Sequence, residues 1–234
     1  MVKSRITQAY ELRPIINAQD LIDLVAEIGF LPFFQNDIQG FSIDEATPPA
    51  IWDVYLGLGP WLWRDDIAKE KKCIYGKFFN NKTGYVSIDW FPDFANYRRD
   101  GYDFDAGYED GLIRHEDKAV YDLIDRDGAM TARELKRKLG VDPKKTSNFD
   151  GRMTRLQMMT YIVPVDFIFP LDENGEKKYS YGTTVYDLPE RWIGEESCRS
   201  GYERTPRESF ERCVCHLMKM LPDLEYDNAV RLLR

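Results

Sequence analysis

The segment HEDKAVYDLIDRDGAMTARELKRKLG, residues 115–140, carries the reading on which the fold turns. Val120, Leu123 and Ile124 fall on one face at helical spacing, and Gly128 is placed to close that helix as its C-cap. Thr131 stands three residues before Glu134, the spacing of a capping box, in which hydroxyl and carboxylate each accept a hydrogen bond from the other's backbone amide. A second helix is therefore predicted over residues 131–139, burying Leu135 and Leu139 and stopping at Gly140. A third follows Asp142-Pro143, since proline is tolerated in a first turn whose N–H groups have no partner. It is predicted over residues 144–160, with Phe149, Met153, Leu156 and Thr160 on the buried side. Ser147, Asn148, Gly151, Thr154, Arg155 and Met158 look the other way. Beyond it, YIVPVDFIF and KKYSYGTTVYDL are rich in β-branched and aromatic residues and flank the turn segment PLDENGE, a hairpin over residues 161–188. Three helices followed by a two-stranded hairpin predict a winged helix-turn-helix.

Working outward, AQDLIDLVAEIGF has a helical pattern through Leu21, Leu24, Val25 and Ile28 that ends near Gly29. PPAIWDVYLGLG reads as a short helix begun by proline, and CIYGKFFNNKTGYVSIDWF as a hairpin with Lys82 and Thr83 at its tip. Helix, helix and hairpin suggest a second, degenerate winged-helix-like unit, although no repeat is visible as letters. FANYRRDGYDFDAGYEDG is too aromatic for a loose linker and reads as a packed connector. After YDLPERWIG, helices are predicted over residues 206–221 and 225–233. The expected fold class is α+β, with tandem winged helix-turn-helix units. The expected division is a lobe with connector over residues 1–111, a winged helix-turn-helix over 112–193 and a helical extension over 194–234.

With 234 residues, 43% of them hydrophobic, the chain can bury a sizeable core without staples. No run approaches the roughly 20 apolar residues of a membrane span, and MVKSRITQAYELRP lacks a signal peptide's apolar stretch. The expectation is a cytoplasmic protein with no membrane partner. Cys73, Cys198, Cys213 and Cys215 contain no CxxC pair, and with only His115 and His216 to help, no metal site and no cofactor is predicted. The formal charge of −8 excludes a protein that coats nucleic acid indiscriminately. The charge is uneven, however. Residues 1–111 hold 11 basic against 18 acidic side chains, whereas residues 131–155 hold 8 basic against 3 acidic, the one basic island in the chain.

A winged helix presents its third helix to the major groove while neighbouring elements touch phosphates. The candidate DNA-binding residues are therefore Lys144, Lys145, Ser147, Asn148, Thr154 and Arg155 on the third helix. Arg133 and Lys136 on the second helix, and Lys177 and Lys178 at the wing, join them. Duplex DNA, damaged or not, is the expected partner. Winged helices also serve as protein-interaction modules, and the overall acidity favours that alternative.

Three stretches resemble the AlkZ/YcaQ-like family, bacterial winged-helix DNA glycosylases that release alkylated bases. GAMTARELKRKLG is similar to the family's second-helix signature. VYDLPERW resembles its Tyr-Asp-Leu-Pro-Glu-Arg hallmark, and GYVSIDWFPDFANYRRD resembles more loosely the family segment leading into an arginine. The likeness spans residues 20–193. It implies DNA repair by hydrolysis of an N-glycosidic bond, with a Gln-x-Gln or Gln-x-Asp motif shortly after the first helix. In this chain IGFLPFF puts Pro32, Phe33 and Phe34 at those positions, and none of the three can hold a water or accept a proton. Three residues on, Gln35-Asn36-Asp37 has suitable end residues, so Gln35 and Asp37 are the catalytic candidates under an active-glycosylase alternative. Otherwise they belong to a surface turn. The family's histidine is absent near SIDWFPDF, where Asp89 and Asp93 are the acidic groups.

Overall fold

The structure, a computed structural model, describes residues 10–52, 59–142, 147–177 and 182–234, with Ser147 described in its backbone alone. Lys144, Lys145 and Lys178, and with them the expected helix start at Pro143, lie outside the described residues.

Two units of the same topology follow one another. In the first, α1 (Ala18–Ile28) is capped by the Asn17 side chain, which accepts from the Asp20 amide, and ends at Gly29 with φ 82°. The chain then forms the short strand β1 (Phe30–Pro32), the single turn α2 (Ile43–Ala46) and α3 (Arg64–Glu70). The hairpin β2 (Cys73–Phe79) and β3 (Lys82–Ser87) completes the unit, and the sheet order is β1-β3-β2. Asn80 and Asn81, at φ 49° and 64°, make the two-residue turn. Asparagine tolerates the left-handed region that such a hairpin turn requires. Lys82, expected at the tip, is instead the first residue of β3.

The second unit repeats the pattern. α6 (His115–Asp127) ends at Gly128 with φ 88°. β4 (Met130–Thr131), α7 (Ala132–Lys138) and α8 (Ser147–Met158) follow, then the hairpin β5 (Val163–Ile168) and β6 (Thr183–Asp187), in sheet order β4-β6-β5. Both capping-box bonds around Thr131 and Glu134 are present. α8 stops before Thr160, which takes φ 60°, and its last carbonyls are closed by the amides of Thr160 and Tyr161. The fold is α+β and built from tandem winged helix-turn-helix units, the repeat being one of topology rather than of letters. The residues after each first helix, Phe30–Pro32 and Met130–Thr131, are strands of three and two residues, too short to show a period in the sequence.

The connector is two helices, α4 (Phe91–Arg98) and α5 (Phe104–Glu109). α9 (Pro189–Ile193) and α10 (Glu195–Arg199) lead from the second wing to α11 (Pro206–Met220) and α12 (Tyr226–Leu233). Two hydrophobic cores form among the described residues. One joins α1 and the first sheet to Phe91, Phe94, Cys213, Val214, Leu217, Leu232 and Leu233, so residues 206–233 finish the first unit's core. Val163, Phe167 and Phe169 of the second wing pack into that same core. The other core gathers Val120, Ile124, Leu135, Phe149, Met153 and Leu156, with Phe104 from the connector. No helix among the described residues is long and apolar enough to cross a membrane.

Candidate nucleic-acid interface

α8 buries Phe149, Met153 and Leu156, as its spacing predicts, and this fixes where its other faces point. One flank turns to the first unit. The Lys77 amide of β2 donates to Gln157 Oε1 at 3.3 Å, and Lys77 Nζ donates to Thr154 Oγ1 at 2.9 Å. Thr154 also donates to the Asp150 carbonyl. The expectation that Thr154 faces outward is corrected on this point: its hydroxyl is engaged on both sides within the protein.

The other flank turns to α6. Arg155 makes a bidentate pair with Asp117, Nε to Oδ2 at 2.9 Å and Nη2 to Oδ1 at 2.7 Å, and the Asp117 side chain is only 4% exposed. A buried carboxylate with one guanidinium partner depends on it, so Arg155, a candidate DNA contact, is tied to α6 through Asp117. Beside it, Glu116 is held below the ordinary carboxylate range, chiefly by the amide of its own backbone, with Arg152, Arg114 and Arg155 adding their charge. Arg152 thus belongs to a basic edge shared by α6 and α8. The sequence signal for it was membership of the basic island; only the helix register shows which edge it occupies.

The remaining candidates divide similarly. Arg133 is exposed on α7 and has no hydrogen-bond or ion-pair partner among the described residues. Asn148 is exposed in the first turn of α8. Lys136 pairs with Asp150 at 3.0 Å and lies 5.0 Å from the Phe149 ring centroid, a pair at the surface in which the Lys136 side chain is 29% exposed. Lys177 was expected to meet phosphates. Instead its ammonium donates to Asp65 at 2.6 Å, to Asp66 at 3.4 Å and to the Leu62 carbonyl, and it sits over the Phe169 ring. The second wing is thereby fastened to the start of α3, whose Asp65 side chain is 7% exposed. α3 occupies in the first unit the place of α8 in the second, and its acidic start makes it the opposite of a phosphate-binding surface.

At the alternative catalytic place, Phe33 is fully buried and stacked on Trp61 with centroids 4.2 Å apart. Gln35 and Asp37 stand on an exposed turn. Asn36 organises it, donating to the Phe41 and Phe34 carbonyls and accepting from the Ile38 amide. Asp37 is 76% exposed, with Arg231 3.9 Å away. Asp93 is buried against Ser209, Arg212 and Arg204, a packing role. Among the described residues, no three His, Cys, Asp or Glu side chains are grouped to hold a metal ion.

A family model described as AlkZ related matches residues 15–234. The chain belongs to the AlkZ-related family. No curated protein matches it. Among solved structures, the Streptomyces sahachiroi DNA glycosylase AlkZ aligns at 10% identity with a TM-score of 0.43, over 90% of this chain and 53% of that one. The AlkZ-related chain thus spans about half the length of that structure.

In this AlkZ-related chain the segment YDLPERW has visible structural duties. Arg191 pairs with Asp187 and donates to the Ile124 and Asp125 carbonyls, fastening the wing's exit to the end of α6. Glu190 meets Arg99, which is 3% exposed and also donates to Thr160 Oγ1 at 3.1 Å, to the Thr160 carbonyl at 2.8 Å and to the Tyr202 hydroxyl at 3.2 Å. Two of the stretches that carry the family resemblance are thus joined by the Arg99–Glu190 ion pair.

Proposed function

We propose that this AlkZ-related protein binds duplex DNA through its second winged helix, without base excision. The observation that carries the reading is the pairing state of the basic island. Within it Arg155 and Lys136 are engaged with carboxylates, as is Lys177 at the wing. Arg133, Asn148 and Arg152 remain at the surface of α7 and the first turns of α8, the part of a winged helix that approaches the major groove. Lys144, Lys145 and Ser147 precede or begin α8 in the sequence and extend the same basic stretch. Arg133, Lys144, Lys145 and Arg152 act on phosphates, while Ser147 and Asn148 are the hydrogen-bonding groups suited to base edges.

The absence of excision rests on Pro32, Phe33 and Phe34 at the motif positions and on an exposed turn for Gln35 and Asp37, since general-base work needs a held water and a positioned acceptor.

Fluorescence anisotropy with a labelled duplex tests both parts. The wild type binds at low salt, and Arg133→Glu/Arg152→Glu binds at least tenfold more weakly with an unchanged melting temperature. Absence of low-salt binding removes the DNA reading in favour of a protein-interaction module. Release of an alkylated base that vanishes in Asp37→Asn would replace it with the glycosylase alternative.

A further inference from the structure

A pocket of about 120 Å³ opens at the hairpin end of the first unit, between the turn after β1, the start of β3 and α12. It shares no residue with the α8 surface. Its apolar side is formed by Pro32 and Phe34, and Phe34 is unusual among the large aromatics in being 37% exposed. The Phe34 ring packs at a tilt against Trp61, with centroids 5.8 Å apart. The turn is held by the three hydrogen bonds of Asn36, so this wall is rigid before any ligand arrives.

Two cations face the apolar side. Lys82 is exposed, and its ammonium has no hydrogen-bond or ion-pair partner among the described residues. Arg231 is oriented by its own helix: Nε donates to the Asp227 carbonyl at 3.3 Å and Nη2 to Asn228 Oδ1 at 2.7 Å. Nη1 is left toward Asp37, at 3.9 Å, too far for a hydrogen bond. A guanidinium fixed through two nitrogens has already lost the rotamer freedom that binding would otherwise cost. Two cations against one carboxylate leave one net positive charge beside a flat apolar wall.

We propose that this pocket binds a small aromatic carboxylate, its ring against Phe34 and Pro32 and its carboxylate between Lys82 and Arg231. A carboxylate matches the planar donor geometry of arginine, and a monoanion balances the local charge. At about 120 Å³ the pocket is somewhat smaller than the roughly 150 Å³ cavity that encloses benzene, so a single ring seats in part and the charged group stands at the open mouth.

Benzoate, benzamide, acetate and inorganic phosphate, each titrated into the 15N-labelled full chain, distinguish the terms. Benzoate is expected to shift the amide signals of residues 34–38, 80–82 and 228–231 saturably at about millimolar concentration. Benzamide and acetate each bind about tenfold more weakly, since each lacks one of the two matched features. Lys82→Ala, Arg231→Ala and Phe34→Ala each weaken benzoate without changing the fold, as all three side chains are at the surface. Arg133→Glu/Arg152→Glu leaves benzoate binding unchanged, so the pocket stands or falls apart from DNA binding. Equal affinity for benzoate and benzamide, tighter binding of phosphate, or no saturable shift overturns the proposal.

Discussion

Arg99 shows how much of this chain's architecture rests on single buried charges. Burial disfavours its guanidinium, yet Glu190 and the hydrogen bonds around it outweigh that cost and hold the group protonated more firmly than usual. Arg99→Ala strands the Glu190 carboxylate and a buried carbonyl, and urea denaturation should show a loss of about 3 kcal/mol. The cysteines make a sharper residue-level forecast. Burial pushes the Cys73 and Cys198 thiols up to about 12 and raises that of Cys213 as well, whereas Cys215 is exposed. Because the thiolate is the reactive form, native protein at neutral pH should take up one equivalent of a thiol reagent, at Cys215, and four after unfolding. Labelling of Cys73 or Cys213 at a comparable rate would show the first core to be open. The partners were not legible in the letters: Arg99 and Cys213 acquire their surroundings from residues about 60 to 120 positions distant.

Elements whose signals are local were legible, and α7 is the clearest. Its capping box is spelled by Thr131 and Glu134 and is present as spelled. Thr131→Ala should cost about 1 kcal/mol, read as a lower urea midpoint with an unchanged slope. α8 was legible on its buried side alone. The spacing of Phe149, Met153 and Leu156 gives the core face, but a polar outward row reads the same whether it meets water, DNA or another part of the chain. Thr154 met Lys77 and Arg155 met Asp117. The wing was legible as a hairpin but the partners of Lys177 were not, because Asp65 and Asp66 lie more than 110 residues away.

At the scale of the whole molecule, two winged helices of one topology are packed so that the first unit covers one flank of α8 and the tip region of the second wing. What remains for a partner is narrower than the basic island suggests, because Arg155, Lys136 and Lys138 are paired with carboxylates. With a net charge of −8, binding through so few cations is weak and strongly dependent on salt, as phosphate neutralisation demands. The most direct measurement is the duplex association constant across a salt series, for the wild type and for Arg133→Glu/Arg152→Glu. If these residues contact phosphates, log K falls linearly with log salt in the wild type and the slope becomes shallower by about two in the double variant. A wild-type constant that does not respond to salt, or slopes that coincide, would contradict DNA binding at this surface.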